Sequence, residues 1–106
     1  MDQLTFFKSL SDQTRIDILT FLLLRGESCV CDLMSALDLN QPKISRHLAL
    51  LRSAKILQDR RQGQWVYYQI HPELEPWCVE MLNILLQQNP RAESFKISEN
   101  TSICCD

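Results

Sequence analysis

Residues Ser28–Ala54 read SCVCDLMSALDLNQPKISRHLALLRSA, and this stretch decides the fold. Val30, Leu33, Met34 and Leu37 fall at i, i+3, i+4 and i+7, the spacing of one apolar helical face, so a short helix is expected from Ser28 to about Asp38. Asn40 is a strong N-cap and Pro42 suits a first turn. A second helix therefore runs to about Ala54, with Ile44, Leu48 and Leu51 as its buried stripe. About three residues separate the two helices, which is the spacing of a helix-turn-helix.

Working outward, Leu4, Phe7 and Leu10 mark a short first helix. Ser11 or Asp12 caps a second, whose Ile16, Leu19 and Leu23 form a stripe widened by Ile18 and Leu22 before Gly26 stops it. A helix apolar over so much of its circumference belongs near the centre of the core. Downstream of the helix-turn-helix, Val66, Tyr67, Tyr68 and Ile70 are strand formers separated from Leu57–Arg61 by a Gln62-Gly63 tip, the pattern of a hairpin. After Pro72, a last helix carries Leu74, Trp77, Cys78, Met81, Leu82 and Leu85, with surplus apolar surface at Val79, Ile84 and Leu86 that calls for a second chain. The fold class is thus mainly α with a small β-hairpin, a dimeric winged helix-turn-helix. Residues 1–89 are expected to form this winged helix-turn-helix and dimerisation domain, and residues 90–106 a flexible tail that carries a cysteine pair.

The 106 residues suffice for one core, and seventeen leucines against two glycines and four prolines exclude a fibrous or generally disordered chain. No apolar run is long enough to span a membrane, and the first residues show no basic-then-apolar leader, so a cytoplasmic protein is expected. The net charge of −2 at first argues against nucleic acid. Its distribution reverses that reading: residues 41–70 hold six cations (Lys43, Arg46, Arg52, Lys55, Arg60, Arg61) against Asp59 alone, a local +5 that leaves −7 on the rest. Arg46 lies about 200° around the helix from Ile44, with Lys43 and Ser45 about 100° to either side of it, so all three point away from the core. With Gln41 they occupy the first turns, the part of a recognition helix that meets base edges. Gln can pair with adenine, Arg with guanine, and Lys with a base or a phosphate. His47 sits on the shoulder of the stripe, open to burial, to DNA contact, or to both. Arg60 and Arg61 beside Gln62 and Gly63 suit a wing that reaches phosphates or the minor groove.

Five cysteines make up the second signal: Cys29, Cys31, Cys78, Cys104 and Cys105. In a regular helix positions i and i+2 are about 200° apart, so Cys29 and Cys31 converge on one ion only if the helix distorts or the first residue lies outside it. Two thiolates fit trivalent arsenic or antimony, or zinc or cadmium with added ligands. Met34 and Cys78 lie on apolar faces and read as packing, while Cys104 and Cys105 on the tail are an alternative or accessory thiophile site. A thiol enzyme lacks support, because no base is recognisably paired to a cysteine.

Taken together, Leu10–Arg15 (LSDQTR), Glu27–Leu33 (ESCVCDL), Gln41–Arg52 (QPKISRHLALLR) and Asp59–Tyr68 (DRRQGQWVYY) resemble the ArsR/SmtB family of metal-sensing repressors, most closely the arsenical-resistance operon repressors. The resemblance covers roughly residues 4–87. It implies a homodimer joined through its first and last helices, bound to double-stranded operator DNA and released by As(III) or Sb(III), with no permanent cofactor. Carried over by position, Cys29 and Cys31 are the inducer thiolates and Gln41–His47 enter the groove. The enterobacterial pattern has a third cysteine in the same helix, where this chain has Met34. Either a third sulfur comes from Cys104 or Cys105, or the site has two sulfurs and suits a trivalent organoarsenical such as methylarsenite. Some relatives place the whole site in C-terminal cysteines, which keeps Cys78, Cys104 and Cys105 as a rival. A thiol redox sensor with the same DNA-binding output is the other reading of the cysteine pairs.

Overall fold

The computed structural model describes residues 1–96 as α1 (Gln3–Ser9), α2 (Gln13–Arg25), β1 (Ser28–Cys29), α3 (Val30–Leu37), α4 (Gln41–Ser53), β2 (Leu57–Gln62), β3 (Trp65–Ile70), α5 (Pro76–Gln88) and α6 (Ala92–Lys96). Capping residues set most boundaries. Asp2 accepts from the Thr5 N–H at 2.9 Å, Asp12 from Arg15 N–H at 3.2 Å, and Asn40 from Lys43 N–H at 3.0 Å. Each satisfies a donor that the helix start leaves unpaired. Gly26, at φ +78°, ends α2 in a conformation that L side chains rarely adopt. Asp38 takes the left-handed region (φ 57°) in the turn between α3 and α4. Lys55 does the same after α4 (φ 65°), where the Ile56 N–H reaches back to Leu51 O at 3.0 Å, closing the helix end.

The sheet is three-stranded and antiparallel, in the order β1-β3-β2. Pairing runs from Leu57↔Ile70 to Gln62↔Trp65, so the two turn residues are Gly63 and Gln64, one position beyond the expected tip, with Gly63 at φ +63°. The expected helix start at Ser28 is corrected: Ser28 and Cys29 pair with Tyr68 and Tyr67 as β1, and the helix begins at Val30. Two residues are too few to leave a strand periodicity in the sequence.

One core joins these elements. Ile18, Leu19, Phe21 and Leu22 of α2 pack with Leu33 and Leu37, with Ile44, Leu48 and Leu51, and with Leu57, Tyr68 and Leu82. The helix-turn-helix is thereby seated on the broad apolar face of α2. Residues 90–96, expected as the start of a flexible tail, are held on the core. Phe95 is buried edge-on against Phe21 at 5.8 Å between ring centres. Arg91 and Asn89 bond the buried Asp17 carboxylate at 2.8 and 3.1 Å. A single Phe in a polar stretch gives no periodicity to read, yet its burial and that paired carboxylate fix α6 on α2. Cys104 and Cys105 lie outside the described residues.

Candidate functional site

On α4 the inward residues Ile44, Leu48 and Leu51 are fully buried, which turns Gln41, Lys43 and Arg46 outward; all three are exposed and Ser45 is half-buried. These four side chains lie in the first two turns of the helix. His47 does not join them. It is 8% exposed, with Nδ1 3.2 Å from Arg15 Nη1 and Nε2 3.9 Å from Asp12 Oδ2. Arginine can only donate, so Nδ1 accepts and the ring is the neutral Nε2–H tautomer in this contact. Burial pushes the His47 pKa down, against the pull of Asp12 and with the help of Arg15, Arg46 and Lys43. His47 thus ties the recognition helix to the start of α2, and Arg15 also donates to Ser9 O at 2.8 Å, adding α1 to the same joint. Of the roles open to His47, the burial one is observed: a residue about 60° off the stripe falls where α2 closes over α4.

At the wing, Arg61, Gln62, Gly63 and Gln64 are exposed around the tip. Arg60 is exposed as well but already engaged. Its Nε and Nη2 each donate to the Glu27 carboxylate at 2.7 Å, its Nη1 donates to Gln62 Oε1 at 2.8 Å, and the guanidinium lies 4.9 Å from the Tyr67 ring centre. Those bonds hold the Glu27 carboxyl below the usual carboxylate range. Sequence reasoning missed Glu27 and Arg15: each partner lies over thirty residues away, with no local pattern to signal the contact. Arg52, at the end of α4, pairs with Asp59 at 3.1 Å.

The thiols sit where the helix-turn-helix meets the sheet. Cys29 is the N-cap of α3, in extended backbone (φ −89°, ψ 170°) and 3% exposed, and its N–H donates to Asp32 Oδ2 at 3.3 Å. Cys31 is the second residue of the helix and half-buried. The first residue therefore lies outside the helical spiral, the condition under which two sulfurs at i and i+2 can approach one atom. Cys29 is disulfide-bonded in this structure, so thiolate chemistry at the pair belongs to the reduced chain. Cys78 is fully buried in α5, and burial pushes its thiol pKa up, as packing requires. Met34 is half-buried against the core. Among the described residues no group of three or more His, Cys, Asp or Glu side chains could hold a metal ion. No helix among them is long and apolar enough to cross a membrane.

Comparison with known proteins agrees with this arrangement. Residues 12–59 match the sequence profile of the bacterial regulatory protein, arsR family. The chain is 60% identical over 83 residues to the arsenic resistance transcriptional regulator ArsR2 of Pseudomonas putida, covering 78% of this chain and 72% of that protein. It is 52% identical over 77 residues to the arsenical resistance operon repressor of Escherichia coli, covering 73% and 66% respectively. Among solved structures, the AntR antimony-specific transcriptional repressor superposes with a TM-score of 0.70 at 31% identity, over 85% of this chain and 78% of that one.

Proposed function

The chain belongs to the arsR family of bacterial regulatory proteins, whose relatives here are transcriptional regulators rather than enzymes, and from that premise we propose an arsenic-responsive repressor that holds operator DNA as a homodimer and lets go when a trivalent metalloid binds Cys29 and Cys31. The observation that carries this reading is the extended Cys29 at the N-cap of α3, two positions before Cys31. As(III) or Sb(III), or a trivalent organoarsenical, forms a metalloid–sulfur bond at each thiol while a hydroxide ligand leaves, taking the thiol proton as water. Two sulfurs supply two of three positions, and the third stays with a hydroxyl, an organic substituent, or Cys104 or Cys105.

Drawing the two sulfurs to one atom competes with the Cys29 cap and the two-residue pairing of β1, and α3 packs directly on α4. A coupling of about 1–3 kcal/mol gives a 5–150-fold loss of operator affinity. Gln41, Lys43, Ser45 and Arg46 enter the major groove, and Arg61, Gln62 and Gly63 bring the wing to the backbone. Leu4 and Phe7 of α1 and Ile84 of α5 are 70%, 44% and 53% exposed, and Phe6, Phe7 and Trp77 interlock between those helices. This apolar surface supports dimerisation through the first and last helices.

The test is operator release from the reduced chain on adding arsenite. Loss of release in Cys29→Ser and Cys31→Ser, with Cys104→Ser/Cys105→Ser still responding, is expected; the reverse pattern moves the site to the C-terminal pair. A thiol redox sensor, in which Cys29/Cys31 or Cys104/Cys105 oxidises, is the second reading. Mass measurement separates the two, since peroxide oxidation removes two hydrogens per pair whereas arsenite adds a bound arsenic.

A further inference from the structure

Arg60 was expected at the DNA, yet all three of its guanidinium nitrogens are committed within the protein, two to Glu27 and one to Gln62. Residues directly opposite in antiparallel strands share a face. Cys29 opposes Tyr67 and Tyr67 opposes Arg60, so the thiol, the ring and the guanidine form one row across all three strands. Glu27 stands two residues before Cys29, at the entry to β1. Arg60 therefore spans from the backbone segment that carries the thiol to Gln62, the last strand residue before the wing tip.

Resting on the metalloid-site reading above, we propose that the Glu27–Arg60 clamp is the link through which occupancy of Cys29 and Cys31 reaches the wing, with both residues acting as positioning residues. β1 pairs with β3 at two positions, Ser28 and Cys29, so a shift of Cys29 toward a shared metalloid carries Glu27 with it. A bidentate carboxylate–guanidinium contact needs both oxygens in the plane of the fork; displacement frees Arg60 and leaves Gln62 unheld, and the wing loses its set geometry. The pair contributes little to stability, since both side chains are partly solvated, at 48% and 27% exposure. Such a contact can be removed without unfolding the chain, which makes its role in coupling measurable.

The experiment uses the full reduced chain and reads the release ratio, operator Kd with arsenite or phenylarsine oxide divided by Kd without, together with adduct formation by mass. In Glu27→Gln and in Arg60→Lys the adduct still forms but the ratio falls from the wild-type value to within about threefold of unity, a residual well below the usual range of allosteric factors. Arg60→Lys keeps the charge but loses the fork, so its operator affinity without arsenite falls toward that of the arsenite-bound wild type. The Glu27→Gln/Arg60→Lys double variant shows no further loss, because either change already breaks the clamp. Wild-type ratios in both single variants overturn the clamp while leaving the thiol reading intact. An unresponsive wild type, or release that survives in Cys29→Ser/Cys31→Ser, removes the reading and the clamp with it.

Discussion

The two consecutive helices of the helix-turn-helix start in opposite ways. The α4 start is capped by the Asn40 oxygen at 3.0 Å, stiffened by Pro42, and backed by fully buried Ile44 and Leu48. The α3 start is capped by a cysteine whose own N–H is held by Asp32 at 3.3 Å, and it hangs on a strand of two residues. Sulfur is a weak acceptor, so the second start is the more easily displaced. The difference teaches a division of labour: the helix proposed to read DNA is held rigidly, and the helix that carries the thiols is held by contacts that the proposed pair of metalloid–sulfur bonds can outweigh.

Changes at the rigid start should register as affinity or stability, with the release ratio untouched. The largest effect is expected for Arg46→Ala, which costs about 1–3 kcal/mol of specific operator binding and far less of non-specific binding; titrations against operator and random duplex read both. Equal losses on the two duplexes would make Arg46 a phosphate contact. Asn40→Ala should cost about 0.5–2 kcal/mol of unfolding free energy, measured by urea denaturation, with the metalloid adduct still forming. If that variant also abolishes the adduct, the two starts are not independent. At the far end of α4, Lys55→Gly relieves a left-handed backbone and should raise stability by up to about 1 kcal/mol.

The smallest effect concerns His47. Its folded pKa lies below the unfolded value of 6.5, so below that pH the unfolded chain binds more protons and stability falls as the solution is acidified. His47→Gln should flatten this part of the pH–stability curve. An unchanged slope would mean that the imidazole is not held neutral against Arg15.

Much of this was legible in the sequence, because local rules governed it. Asp12, Asn40 and Gly26 mark helix ends by their own chemistry, and the stripe of Ile44, Leu48 and Leu51 fixed which side chains of α4 face outward. The hairpin was equally plain in its strand formers and its Gln-Gly turn signal, to within one residue at the tip. What escaped was settled by partners distant in sequence. β1 exists because Tyr67 and Tyr68 are there to pair with it, His47 turns inward because Arg15 and Asp12 meet it, and Arg60 is held by Glu27. The thiol pair was found by residue type alone, but its feasibility depended on Cys29 lying outside the helix, which only the β1 pairing explains.

Amide hydrogen exchange on the reduced chain, with and without arsenite, tests the contrast between the two helix starts most directly. Protection at Cys29, Asp32 and Leu33, and at Tyr67 and Tyr68 opposite β1, should fall when arsenite binds, while Lys43 and Ile44 at the start of α4 keep theirs. Unchanged exchange across β1 and the first turn of α3 in a chain that has released its operator would contradict the account.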